Sequence, residues 1–145
     1  MNSTFIQWSF FLIQILKPLN LIMAKTLKYP FCSVDIYDNY IVVCMNKGIH
    51  LTPDKNKVLE DIANEYFYDK AFVYITHRKY SYSVDPSIYL QTSEIINLAG
   101  FAVVAQVPLA KGNAEVEKLF LDKPFEIFSS LDEAKSWAKS ILNNE

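Results

Sequence analysis

The highest concentration of chemically capable side chains lies in residues 77–87. This segment holds the only arginine of the chain, Arg78, with one of the two histidines, two tyrosines and three serines. It follows an apolar run that predicts a buried strand, and partners of parallel α/β sheets gather where strands end. A guanidinium beside an exposed helix N-terminus could receive an anion or a phosphoryl group. We assign the candidate interaction face to this segment: His77, Arg78, Tyr80, Tyr82, Ser83 and Ser87.

A plainer interpretation of the same segment is a solvated connection between a strand and a helix. Asp85 would then only cap the following helix, and the serines and tyrosines would face water. Polar connections of this kind are common on α/β folds, so the pattern alone does not separate a binding face from a loop.

No other pattern in the sequence indicates catalysis or a bound cofactor. His50 and His77 have no spacing that fixes a metal pair or an acid–base pair, and the cysteines form no C-x-x-C motif. No G-x-S-x-G element surrounds a serine, and three glycines are too few for a dinucleotide or phosphate-binding loop. We therefore predict no catalytic, metal-ligating or cofactor-binding residues, and a protein that is not an enzyme.

Composition narrows the class of protein and its partners. Fourteen basic residues against 16 acidic ones give a net charge of −2, which disfavours nucleic acid as a partner. A hydrophobic content of 51% with 21% charged residues is typical of a folded domain. Cys32 and Cys44 fall on consecutive predicted strands, as buried thiols do in a reducing compartment, so we expect a cytoplasmic protein.

The first 24 residues form an apolar extension that precedes the domain signal. Residues 5–23 are strongly apolar, but Lys17 and Pro18 interrupt them before the roughly 20 residues that span a bilayer are reached. No positive charge precedes the apolar stretch, which disfavours a cleaved signal peptide. Three interpretations stay open: a true start at Met23, an interfacial helix on a membrane, and a marginal single span. Any membrane contact is expected only through residues 1–23.

Hydrophobic periodicity predicts five strands and four helices in the order β-β-α-β-α-β-α-β-α. The strands fall at residues 33–37, 40–45, 71–76, 101–107 and 124–128. The helices run from 53, from 85 to about 99, over 114–121, and from 131, where Ser130 and Glu133 form a capping box. Strands that alternate with helices pair in parallel. The sequence thus predicts one α/β domain over residues 25–145 with a single mixed, mostly parallel five-stranded sheet.

This order resembles that of the STAS domains and their SpoIIAA-like relatives. The stretches that carry the resemblance are residues 49–52, 102–104 and 123–124, and above all 127–137, IFSSLDEAKSW. They specify architecture better than activity. In anti-sigma factor antagonists of this family, a serine or threonine at the start of the helix after the third strand is phosphorylated. The resemblance therefore implies Ser83 and Ser87 as candidate phosphoacceptors, although the glycine-containing motif of the family is absent here.

Two functions from different classes follow from these observations. The first is a non-enzymatic STAS-like binding or regulatory module whose partner is a protein, such as a kinase-like anti-sigma factor. The second is a carrier of a small apolar ligand or lipid, because the chain has an apolar extension and an excess of aromatic residues.

Overall fold

The computed structural model describes residues 25–143, so the three interpretations of the apolar extension lie outside the described residues. The strands are β1 (Lys25–Lys28), β2 (Cys32–Ile36), β3 (Tyr40–Met45), β4 (His50–Leu51), β5 (Phe72–His77), β6 (Ser83–Val84), β7 (Leu98–Val104) and β8 (Phe125–Phe128). The helices are α1 (Pro53–Tyr66), α2 (Ile88–Ser93), α3 (Pro108–Glu117) and α4 (Leu131–Asn143). None of these helices is long and apolar enough to cross a membrane.

The main sheet has six strands in the order β1-β2-β3-β5-β7-β8. The first three strands pair antiparallel, and β3, β5, β7 and β8 pair in parallel. The α/β class and the mixed, mostly parallel sheet are confirmed, but the strand count was one too low for this sheet. The missed strand, β1, reads Lys-Thr-Leu-Lys, which is too short and too polar to give an apolar alternation.

A second, two-stranded sheet pairs β4 with β6 in parallel. Each of these strands has only two residues, so neither leaves a periodic pattern in the sequence. Their pairing places His50 opposite Ser83 and Leu51 opposite Val84. This small ladder fixes the chain before α1 against the segment at residues 77–87.

Successive strand residues point to opposite sides of the main sheet. Helices cover both of the resulting faces. One face carries the larger core, where Tyr74, Phe101 and Phe125 stack with ring centroids 4.8 and 5.2 Å apart. Apolar residues of α1, α2 and α3 pack against that side. The opposite face, with Val73 and Ile75 at its centre, packs against Ala134 and Ala138 of α4.

Two helices differ from the sequence prediction in length or position. The second is confined to Ile88–Ser93. In its last turn the hydroxyls of Thr92 and Ser93 donate to the carbonyls of Ile88 and Tyr89, a contact that slightly weakens a helix. The chain then enters β7 three residues before the predicted start at residue 101. The third helix begins at Pro108 and not at residue 114, because proline suits the first turn of a helix.

The last helix begins as its sequence predicts and lies close to the sheet. The Ser130 hydroxyl accepts a hydrogen bond from the Glu133 backbone N–H at 3.2 Å and donates to the Glu133 carboxylate at 3.0 Å. Gly100 of β7 permits the close approach, since a Cβ there would lie 2.7 Å from Ile141 Cδ1 and 2.8 Å from Trp137 Cη2. A larger residue at position 100 would push α4 away from the sheet.

Candidate functional site

Residues 77–87, called the turn segment below, leave β5 at the carboxyl edge of the main sheet. Backbone hydrogen bonds hold the segment in place: Gly48 N–H to the Ser81 carbonyl at 2.8 Å, Ser83 N–H to the Ile49 carbonyl at 2.9 Å, and Asp85 N–H to the Leu51 carbonyl at 3.0 Å. Gly48 has φ of +79°, which glycine adopts without strain. The turn segment is therefore a shaped part of the fold and not a loose connection.

On the inner side of the turn segment, Arg78 and Tyr82 form a cluster with Thr76 of β5 and Glu117 of α3, called the buried cluster below. A guanidinium nitrogen of Arg78 lies 2.5 Å from the Glu117 carboxylate, and its Nε donates to the Tyr82 hydroxyl at 3.1 Å. The Tyr82 hydroxyl also shares a hydrogen bond with Thr76 Oγ1 at 3.0 Å. Only 7% of the Arg78 side chain and 12% of the Glu117 side chain are exposed.

This arrangement corrects the prediction that Arg78 lies open to an incoming anion. Its charge is already paired with Glu117 inside the protein, and α2 is too short and starts too late to present its N-terminus beside it. Burial alone would lower the pKa of Arg78, but interactions with Tyr82 and Glu117 outweigh it and raise the pKa overall. Arg78 is thus a permanently charged member of an internal ion pair that ties the turn segment to α3.

Two further tyrosines next to this cluster stay protonated. Burial raises the pKa of Tyr74 and of Tyr89 well above the ordinary value for a phenol. Among the buried side-chain nitrogen and oxygen atoms of the described residues, none lacks a hydrogen-bond partner. The cluster therefore has the satisfied polar network of a structural element.

On the outer side of the turn segment, Ser83 and His50 of β4 form a pair of exposed side chains, called the exposed pair below. His50 Nδ1 lies 2.7 Å from Ser83 Oγ, a distance set by the ladder of β4 and β6. The carboxylate of Asp85 accepts the Ser87 backbone N–H at 3.0 Å, and this hydrogen bond, with a smaller contribution from His50, lowers the pKa of Asp85. The hydroxyl of Ser83 and the imidazole of His50 thus meet at the surface, with the carboxylate of Asp85 two residues further along the chain.

A groove of about 150 Å³ lies between the turn segment and the start of α3, and we call it the carboxyl-edge groove. Tyr80, Val107 and Leu109 line it and are 52%, 61% and 74% exposed. Its other lining residues are Arg78, Lys79, Ser81, Tyr82, Ala110 and Asn113. The residues that line this groove follow the carboxyl ends of two neighbouring parallel strands, β5 and β7.

The structure separates the residues of the predicted interaction face into distinct surroundings. Tyr80 lines the carboxyl-edge groove from outside, Arg78 and Tyr82 lie in the buried cluster, and Ser83 belongs to the exposed pair. Ser87 is exposed beside Asp85. Ser83 and Ser87 therefore have accessible hydroxyls, and their phosphorylation stays a prediction.

His77 does not line the carboxyl-edge groove, and of the predicted face it shares its own groove only with Tyr80, which borders both grooves. It lines a different groove of about 480 Å³ on the side of the sheet that α4 partly covers, together with Cys44 and Lys79. Burial, with the nearby Lys79 and Lys135, lowers the pKa of His77. His50 and His77 thus line different surfaces, and the described residues contain no cluster of side chains suited to a metal ion.

Sequence reasoning missed several residues that shape this region. Glu117 is an ordinary acidic helix residue in the sequence, and nothing in its spacing identifies it as the partner of Arg78. Val107 and Leu109 flank Pro108, and that Val-Pro-Leu sequence was the available signal for an exposed apolar helix start. His50 could have been placed beside Ser83 only by recognising the two-residue ladder.

Comparison with solved structures assigns the fold. The chain matches the crystal structure of an uncharacterized protein from the DUF3478 family, with a SpoIIAA-like fold, from Shewanella loihica PV-4. The match has a TM-score of 0.55 at 12% sequence identity and covers 79% of this chain and 99% of the other. The protein therefore has a SpoIIAA-like fold, which confirms the resemblance inferred from the sequence at the level of architecture.

Comparisons at the level of sequence add nothing to this assignment. No protein-family model matches the chain, and no curated protein matches it either. A likeness at 12% identity indicates the fold alone. The function must therefore be argued from the described surface.

Proposed function

We propose that the protein is a non-enzymatic binding or regulatory module that engages a protein partner through the carboxyl-edge groove. The observation that carries this proposal is the exposure of Tyr80, Val107 and Leu109 around one groove at the carboxyl edge of the sheet. Large apolar side chains that are exposed together mark interaction sites more often than isolated ones do.

The size of the groove favours a protein partner over a cofactor. Pockets for drug-sized ligands measure about 300–1,000 Å³, whereas this groove measures about 150 Å³, enough for one or two inserted side chains. An aromatic and aliphatic centre with a polar rim, here Lys79, Ser81 and Asn113, is the usual anatomy of a protein interface.

The buried cluster supports the same proposal because it makes the groove rigid. Arg78 and Tyr82 form the inner wall, and their hydrogen bonds to Glu117 and Thr76 fix both side chains before any partner arrives. A preformed surface loses little conformational entropy on binding, which favours affinity. Exposed Ser83 and Ser87 next to this surface are where phosphorylation would alter the charge that a partner meets.

The alternative, a carrier of a small apolar ligand or lipid, has less support. The space around Tyr74, Tyr89 and Phe101, between the sheet and α2, amounts to about 10 Å³, which is too small to hold a lipid chain. Two described grooves are large enough for a ligand, at about 480 and 570 Å³, but most of their lining residues are polar. Native mass spectrometry of the full chain purified from cells tests this alternative directly. A stoichiometric co-purifying lipid would favour the carrier over the partner-binding module.

The central experiment compares two doubly substituted variants in a capture assay. The immobilised full chain is exposed to extract from the cells that produce it, and the retained proteins are quantified by mass spectrometry. We expect Tyr80→Ala/Leu109→Ser to lose proteins that the wild type retains, because it removes the apolar lining of the groove. The matched control, Val116→Ser/Leu119→Ser, changes equally exposed apolar residues that do not line the groove.

One outcome of this assay would reject the carboxyl-edge groove as the binding surface. If both variants retain the same proteins in the same amounts as the wild type, the carboxyl-edge groove is not the binding surface. Melting temperatures of both variants, measured beforehand, must match the wild type for this comparison to count.

A further inference from the structure

The exposed pair combines a hydroxyl with a base at hydrogen-bonding distance. His50 Nδ1 lies 2.7 Å from Ser83 Oγ, and both side chains are open to solvent. In the tautomer that carries its proton on Nε2, the imidazole accepts the serine hydroxyl proton at Nδ1. This is the contact by which a base activates a serine nucleophile.

We propose that Ser83 is a site of covalent acylation, with His50 as its general base and a small uncharged activated ester as the acyl donor. The proposal does not rest on the groove binding a partner, since the exposed pair lies on the ladder of β4 and β6. It concerns modification of the protein itself and requires no turnover.

The backbone holds the pair in this geometry. The parallel ladder sets His50 opposite Ser83, and the N–H groups of Ser83 and Asp85 donate to carbonyls on either side of His50, those of Ile49 and Leu51. Main-chain hydrogen bonds therefore fix the backbone positions of nucleophile and base, from which the two side chains reach each other.

The reaction balances with the groups present. Ser83 Oγ attacks the carbonyl carbon of the ester and forms a new carbon–oxygen bond, while its proton passes to His50 Nδ1. The bond between the carbonyl carbon and the leaving oxygen then breaks, and that oxygen takes the proton from His50. The products are an ester of Ser83, a free alcohol or phenol, and a neutral imidazole ready as before.

Local charge selects an uncharged donor. Asp85 follows Ser83 by two residues, and its carboxylate, which accepts the Ser87 backbone N–H at 3.0 Å, brings a negative charge to this part of the surface. That negative charge disfavours an anionic acyl donor. The nearby Arg78 offers no compensation, because its charge is paired with Glu117.

The test uses the full chain and para-nitrophenyl acetate, a neutral activated ester. Peptide mass spectrometry measures the rate at which each serine gains an acetyl group. We expect Ser83 to be acetylated much faster than Ser136, an exposed serine of α4. His50→Gln should slow acetylation of Ser83 by about 100-fold, the lower end of general base catalysis, and Ser136→Ala should leave it unchanged.

Two results would overturn the proposal. One is acetylation of Ser83 no faster than that of Ser136 in the wild type, a comparison that needs no variant to fold. The other is a folded His50→Gln protein, checked by circular dichroism, in which Ser83 reacts at the wild-type rate. In either case the contact between His50 and Ser83 would serve only to join β4 to β6.

Discussion

The buried cluster and the exposed pair come from one short segment, yet they have opposite characters. Arg78 and Tyr82 turn inward, where they form hydrogen bonds with each other and with Thr76 and Glu117. Ser83, one residue further along the chain, turns outward and meets His50 at the surface. The strand-like backbone of the segment sends successive side chains to opposite sides, so anchoring and reactivity are separated by a single residue.

This comparison teaches that charge in a sequence does not identify a binding residue. Arg78 is the one arginine of the chain and the most conspicuous residue of the segment, but the structure uses it to hold α3. The inconspicuous neighbours, Tyr80 and Ser83, are the accessible ones. Substitutions in the buried cluster should therefore lower the stability of the protein. Substitutions of the exposed residues should alter the chemistry of its surface.

The largest expected effect is on the inner side, at Arg78→Ala. The substitution leaves the Glu117 carboxylate buried without its partner, and losing one member of a buried pair costs about 3–5 kcal/mol. We expect the free energy of unfolding, measured in urea, to fall by that amount. The double variant Arg78→Leu/Glu117→Leu should recover most of the loss, since no lone charge remains. A loss below about 1 kcal/mol for Arg78→Ala would contradict the structural role.

A smaller effect on the same side is expected for Tyr82→Phe. The ring keeps its packing, but Thr76 Oγ1 and Arg78 Nε each lose a hydrogen-bond partner. Leaving buried groups unpaired costs about 1–3 kcal/mol, which urea unfolding resolves. Tyr80→Phe is the matched control, because Tyr80 is half exposed, and it should leave stability unchanged. Equal losses of unfolding free energy in the two variants would show that Tyr82 contributes no more to stability than the exposed Tyr80.

On the outer side, Ser83→Ala should change stability by no more than about 0.5 kcal/mol, as surface substitutions usually do. The substitution removes the hydrogen bond between the Ser83 hydroxyl and the exposed imidazole of His50. It leaves the backbone pairing of β4 with β6 in place. Thermal unfolding of the two proteins side by side provides the measurement. A loss as large as that of Tyr82→Phe would mean that the exposed pair is structural after all.

The smallest expected effect is the pH dependence contributed by Asp85. Its pKa is lower in the folded protein than in the unfolded chain, so its contribution to stability is complete above the unfolded value. That contribution is lost as the pH falls through the lowered folded value. Asp85→Asn should make the acid side of the stability profile shallower, as measured by urea unfolding across acidic pH. An unchanged profile would show that the hydrogen bond from Ser87 to Asp85 does not make stability depend on pH.

Much of the architecture could be predicted because it rests on periodicity. The apolar runs of β3 and β5 and the capping box of Ser130 with Glu133 are local signals, and the structure contains all of them. The second helix ends at Ser93, well before the predicted end near residue 99, and no hydrophobic pattern marks that end.

The candidate site could be predicted only in its location. A polar segment after a buried strand indicated where to look, but side-chain direction within that segment depends on distant partners. Glu117 is 39 residues from Arg78, and His50 is 33 residues from Ser83. Such pairings arise from tertiary packing, so a single sequence cannot reveal which residue turns inward.

The close packing of α4 against the sheet at Gly100 has a consequence for folding during synthesis. Among the described helices, α4 alone packs its apolar side on its face of the sheet, and the strands beneath it are synthesised earlier. During synthesis those strands therefore expose Val42, Val73 and Ile75 until the helix emerges and docks. A nascent chain in this state would present an apolar surface that neighbouring chains can join, and we expect the docking of α4 to limit that self-association.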